Sequence, residues 1–271
     1  MSYEEGGSLL DYAYCSYGAG KDKFRGPEVE ICDKTIAFLG AGETFGRFAV
    51  TPFVSDLGLL IDRPCANFGQ VGAGVDAFIR DTDVQRMCRR SSITVIQIMG
   101  AQNVSNRLYL VHPTRNDRFI SPSSMMKTIF EDVEFTDYNF VQHMLSSIKQ
   151  QSPDRYSIIV QELKTAWVAR MKEMLANIGG RVILLWLPCK SAMLNTLGEG
   201  PLYVDAQMIE ELRGSIESIV RPDLGIEPND PTQDGLLYSP FDQAAASLAM
   251  TQDEHHLVAK MLATEIICMS P

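Results

Sequence analysis

Short apolar runs alternate along this chain with longer stretches of helical spacing. Residues 34–39 form a brief apolar run that ends in glycine, the length of a buried strand rather than a helix. Residues 43–60 then read as a helix, and 65–68 as a second strand closed by Gly69-Gln-Val-Gly72-Ala-Gly74. Helical spacing returns over 75–90. The β-branched run Ile-Thr-Val-Ile-Gln-Ile-Met at 93–99 is the clearest strand pattern in the chain, and it leads into Gly100-Ala-Gln-Asn103. A strong amphipathic helix is predicted over 153–178, with Gly179-Gly180 as its stop. A strand follows over 181–187. A short edge strand is expected at Tyr203-Val204, a helix over 205–219, a Pro- and Asp-rich loop over 221–240, and a last helix over 251–267.

Two stretches break the rhythm. Residues 1–33 are mixed and rich in Gly and Tyr, and read as an N-terminal extension to one α/β domain over 34–271. Residues 104–136 are polar and aperiodic, the pattern of a lid or insertion. Strands that alternate with helices imply a mostly parallel sheet of about five strands, covered on both faces as a three-layer α/β/α sandwich. In such a sheet the ligand crevice lies beyond the carboxyl ends of the strands. The glycine turns after the first three strands therefore converge on one place.

Composition narrows the function classes. The chain has 271 residues, 45% hydrophobic and 21% charged, enough for one sizeable core. A net charge of −10 supplies no basic field for phosphates, so nucleic acid is not an expected partner. No apolar run approaches the ~18 residues of a membrane span. The six cysteines (15, 32, 65, 88, 189, 268) show neither a CxxC pair nor zinc spacing, and read as reduced residues of a cytoplasmic protein. The start, Met-Ser-Tyr-Glu-Glu-Gly-Gly, lacks a basic and an apolar region, so no secretory leader is expected. No metal or cofactor is predicted. Gly69-x-x-Gly72-x-Gly74 lacks the dinucleotide order, and the first turn lacks the lysine of a phosphate-binding loop. Self-association is left open.

The chemistry concentrates in Phe38-Leu-Gly-Ala-Gly-Glu-Thr-Phe-Gly46 and in Asp253-Glu-His-His256. The ordered set of a glycine turn, a second glycine turn, Gly-x-Gln-Asn and a late Asp-x-x-His resembles the SGNH hydrolase superfamily of GDSL-like lipases and esterases, in an uncharacterised bacterial branch. The resemblance spans roughly 34–103 and 250–260 and implies a flavodoxin-like core. It places Gly42 at the nucleophile, where the family carries serine. A single Ser→Gly change, natural or engineered, would convert a credible Gly-Ala-Ser-Glu-Thr-Phe-Gly block into the one present. It implies Asp253 as orienter and His256 as base. Gly72 and Gln102, or Asn103 if the turn is one residue longer, would hold the oxyanion.

A serine needs a base within hydrogen-bond reach and a carboxylate behind that base. Glycine at 42 supplies no covalent step, so the implied function is an impaired esterase or acyl transferase acting on an ester of a small polar molecule. Thr44 is a substitute nucleophile or, more simply, a residue capping the first helical turn. Glu43 is a catalytic carboxylate or one favoured by a helix start. His255 and His256 point about 100° apart on a helix, and spacing selects His256. His112 is a candidate pocket residue, whereas His143 reads as packed. Arg107, Arg115 and Arg118 could clamp an anionic donor or pair with Asp117, Glu131 and Asp132. The alternatives to an esterase are thus a non-catalytic binding protein that keeps the crevice, and a transferase that holds an anionic substrate.

Overall fold

The computed structural model describes residues 9–18, 20, 22–188, 190, 197–198, 200–232 and 234–269. Residues 1–8 and Cys189, both read above, lie outside them. The core is a parallel five-stranded sheet of β1 (Ile36–Leu39), β2 (Cys65–Asn67), β3 (Ile93–Gln97), β6 (Val182–Leu185) and β7 (Ser218–Val220), in the order β2-β1-β3-β6-β7. This is the three-layer α/β architecture expected from the sequence. Counting only sheet strands, the order is 2-1-3-4-5, so the chain reverses direction across the sheet between β1 and β3.

Alternation along the strands creates two cores. Ile36, Phe38, Ile93, Val95, Ile183 and Leu185 face one side. There they meet Phe53, Val54 and Leu57 of α2 (Phe53–Ile61) and Val258, Leu262 and Ile266 of α10 (Gln252–Met269). Ala37, Leu39, Ile96, Val182 and Leu184 face the other side. That side is covered by α3 (Val75–Arg80), α4 (Thr82–Arg90) and α7 (Pro153–Ile178). Trp167 of α7 is fully buried, and its indole N–H donates to Met99 O at 2.8 Å. The long helix is thereby tied to the segment that leaves β3.

Several elements depart from the sequence reading. The helix expected over 43–60 is two helices, α1 (Gly42–Phe45) and α2. Gly46 takes φ +75° and closes α1, with its N–H on Gly42 O, and Phe48 is also left-handed at φ +70°. The 75–90 pattern is likewise split, because Asp81 leaves helical geometry and caps α4 by accepting from Val84 N. No edge strand forms at Tyr203, which sits at φ +62° in a turn. The predicted 205–219 helix shrinks to α8 (Ala206–Glu210), and β7 takes the sheet edge instead.

Residues 104–136 are ordered. β4 (Tyr109–Val111) and β5 (Phe119–Pro122) form an antiparallel hairpin, followed by α5 (Ser124–Ile129). Tyr109, Phe119, Met126 and Phe130 are buried in the main core, so the segment packs against the rest of the domain. The N-terminal stretch is also anchored: Phe24 is buried edge-on against Phe68, and the Arg25 guanidinium donates to the carbonyls of Gly46, Ala49 and Val50.

Candidate functional site

The turn after β1 is held from the neighbouring strand. Gln97, the last residue of β3, accepts through Oε1 from Ala41 N at 2.9 Å, Thr44 N at 3.3 Å and Thr44 Oγ1 at 2.7 Å. Its Nε2 donates to Glu43 Oε2 at 2.7 Å. One amide thus fixes the Gly40–Thr44 segment at the point where the sheet order reverses. Thr44 is 1% exposed with its hydroxyl committed to Gln97, so it neither caps the helix nor faces solvent. Glu43 lies in the first turn of α1, half-buried.

The glycines here differ in kind. A Cβ at Gly40 would lie 2.1 Å from Thr44 Oγ1 and 2.5 Å from Gln97 Oε1, so close packing requires glycine. A Cβ at Gly42 would meet nothing within 4 Å, and the backbone there has no left-handed φ. Open space stands where a side chain would project.

The second turn is fixed by two amides. Asn67 Nδ2 donates to Thr44 O at 2.9 Å while its Oδ1 accepts from Gly69 N at 2.9 Å, joining the first two turns. Asn116 is fully buried; its Oδ1 accepts from Gly74 N at 2.7 Å and Ala77 N at 3.1 Å, and its Nδ2 donates to His112 O. Gly72 takes φ +79°, and a Cβ there would stand 2.6 Å from Asp117 Oδ1 and 2.9 Å from Arg115 Nε. The third turn is pinned by Tyr109 Oη, which donates to Gln102 O at 2.6 Å, and by Ala101 N, which donates to Leu202 O. Gln102 and Asn103 line a cleft of about 590 Å³ with Asp117, Phe140, Gln142, His143 and Ser146.

The late Asp-x-x-His is rearranged. His256 Nδ1 lies 2.6 Å from Asp56 Oδ2, a carboxylate on α2, while Asp253 is exposed and has no partner among the described residues. α10 starts at Gln252 and lays its first turn along α2, so His256 meets the helix beside it. His255 is 1% exposed, stacked on Phe53, and accepts from Phe53 N at 3.2 Å through Nδ1. Burial, helped by the Arg25 and Lys190 charges, lowers its pKa from 6.5 to about 3 and keeps it neutral.

The arginines are engaged. Arg107 pairs with Glu162 through both its Nε and Nη2, Arg115 pairs with Asp117 at 3.1 Å, and the Arg118 guanidinium lies 4.2 Å from the Phe140 ring centre. Asp132 takes Arg155 instead. His112 Nδ1 accepts from Thr114 N and Arg115 N, so the ring organises its own turn.

Residues 1–269 match the family model described as a domain of unknown function (DUF6473). The chain belongs to this family. No curated protein matches the DUF6473 chain in sequence. Among solved structures it is similar to the lipase Lip_vut3 from a goat rumen metagenome, at 9% identity over 85% of this chain and 96% of that one, TM-score 0.42. It is similar to a putative lipolytic protein of the G-D-S-L family from Desulfitobacterium hafniense DCB-2, at 10% identity, 85% and 98% coverage, TM-score 0.39. A third is a putative acylhydrolase from Bacteroides fragilis NCTC 9343, at 12% identity, 90% and 91% coverage, TM-score 0.42.

Four residues that organise the candidate site have no signal in a linear motif. Asp56, Gln97, Asn67 and Asn116 each reach at least one partner 23 to 200 positions away. The polar ends of otherwise apolar strands β2 and β3 were the only hint, because an amide buried at a strand end needs a partner. His143 was read as packed, yet α6 (Val141–Gln151) turns it outward to the cleft.

Proposed function

We propose that this chain carries an SGNH/GDSL-like site for an ester of a small polar molecule, with covalent hydrolysis or acyl transfer silenced at residue 42. The observation that carries the reading is the contrast between Gly40, which admits no side chain, and Gly42, which has room for one at the switch point of the sheet. With serine at 42, its hydroxyl would attack the ester carbonyl and pass its proton to His256 Nε2. Asp56 would hold the imidazole through Nδ1, the part that the resemblance implied for Asp253. The proton would then go to the leaving alcohol, and water would release the acyl group by the same base. Gly72 N–H and the Asn103 amide have no partners among the described residues and serve as the oxyanion donors, each worth about 3 kcal/mol.

An anionic-donor transferase is the weaker reading, because Arg107 and Arg115 already neutralise Glu162 and Asp117. A ligand-binding protein that keeps the crevice is favoured by the 590 Å³ cleft beside the third turn. The test is Gly42→Ser. Turnover of p-nitrophenyl acetate by the variant, with none by the parent chain, supports the silenced ester site. Inertness of both overturns it in favour of binding alone.

A further inference from the structure

The cleft bordered by α6 and the third turn has an unusual wall. Asn103, Gln142 and Ser146 present side-chain donors and acceptors that have no hydrogen-bond partner among the described residues. His143 makes an edge contact with Tyr138, at 5.1 Å between ring centres, and no hydrogen bond among the described residues. Gln102 Oε1 is shut from solvent without a partner, lodged 2.1 Å from where a Gly100 Cβ would stand. A buried carbonyl oxygen of this kind lacks the bond that nearly all its counterparts have. Turning this amide toward a donor in the cleft would supply it.

The wall is also electrically balanced. Its one carboxylate, Asp117, is held by Arg115 Nε at 3.2 Å and Nη2 at 3.1 Å. An anion would find no Lys or Arg on the lining, and a purely apolar ligand would leave five polar side chains without partners. Phe140 adds a half-exposed ring, 42% open, with Arg118 stacked on it. Its size, about 590 Å³, falls in the range of small-ligand sites.

We infer that this cleft binds an uncharged, polyhydroxylated ligand, a neutral saccharide. Each sugar hydroxyl both donates and accepts, matching a wall of amides, a hydroxyl and an imidazole. The C–H face of the ring packs on Phe140. Gln102 and Asn103 belong to both the third turn and the cleft, so the saccharide would be the alcohol half of the ester. That last assignment rests on the silenced ester site; the binding itself does not.

The experiment is calorimetric titration of the full chain with maltose, lactose, sucrose and trehalose, with glucuronate and glucose 6-phosphate as charged counterparts. At least one neutral disaccharide is expected to bind with a dissociation constant of roughly millimolar or tighter, and more tightly than either anion. Gln142→Ala/Ser146→Ala is expected to weaken it by about tenfold or more, as is Phe140→Ala, while Lys260→Ala on the far helix changes nothing. Gln142 is exposed, and thermal melting confirms that the variants fold. No heat with any neutral disaccharide at about ten times that concentration overturns the inference. So does preference for the anions, or binding that ignores the double variant. Hydrolysis by Gly42→Ser without saccharide binding leaves the ester site standing and this inference fallen; binding without hydrolysis gives the reverse.

Discussion

His256 Nδ1 sits 2.6 Å from Asp56 Oδ2, joining the N-terminal part of the last helix to the first turn of α2. The imidazole is 45% exposed and the carboxylate 17%, so the pair orients a ring that still reaches solvent. Its worth to stability is at most about 1 kcal/mol. In the proposed ester site its worth to chemistry would be larger, since a carboxylate on Nδ1 sets the tautomer and leaves Nε2 open to act as the base.

The pair gives a sharp division between two aspartates. In the Gly42→Ser background, Asp56→Asn is expected to lower kcat by on the order of a hundredfold or more, with little change in melting temperature. Asp253→Asn should leave kcat within about twofold, because Asp253 is exposed and has no hydrogen-bond or ion-pair partner among the described residues. Steady-state kinetics on the two variants decides. Equal losses would return Asp253 to the role its spacing suggested.

His255 makes stability depend on pH. Its pKa falls from 6.5 unfolded to about 3 folded, so the unfolded chain binds the extra proton between those values. Stability contributed by the neutral ring is complete above pH 6.5 and is lost as pH falls toward 3. At pH 5 the loss is about 2 kcal/mol relative to pH 8. Urea titrations of the parent chain and His255→Gln should show a shallower decline for the variant. Parallel declines would mean that other groups govern acid sensitivity.

Gly40 and Gly42 should respond oppositely to alanine. Gly42→Ala is expected to stay within about 1 kcal/mol of the parent, since the added methyl enters open space. Gly40→Ala forces a methyl against Thr44 and the Gln97 amide, and should cost about 2 kcal/mol or more. Chemical denaturation of both variants measures the contrast.

Asn116 holds the second turn from a distance of 42 residues. Asn116→Ala strands the buried Gly74 N–H, leaves Ala77 N–H only its 3.3 Å bond to Gly74 O, and should cost about 2 kcal/mol. Hydrogen exchange at Gly74 and Ala77 should quicken well before that of Ile96 in β3. Uniform acceleration across the chain would show only global destabilisation.

The parts of the fold with dense local signals were readable in the sequence. β3 announces itself by Ile93, Val95 and Ile96, and the long helix starts at Pro153 and stops at Ile178 as its pattern and glycines indicate. The helix break at Gly46 was not readable, because the left-handed Phe48 depends on Arg25 gripping the carbonyls around it. Tyr203 escaped for a similar reason: its turn is shaped by contacts such as Tyr156 Oη at 2.5 Å. At the site, the glycine turns were legible as turns. What links them was not, since Gln97, Asn67 and Asn116 act across the sheet, and Asp56 answers His256 from 200 residues away.

The most direct measurement is a fluorophosphonate reaction with the Gly42→Ser protein, read by intact mass and peptide mapping. The account predicts one adduct, carried on residue 42, absent from the parent chain and lost again in Gly42→Ser/His256→Ala. A folded Gly42→Ser protein that takes up no phosphonate, or takes it up elsewhere, would contradict the claim that residue 42 is the seat of a silenced nucleophile.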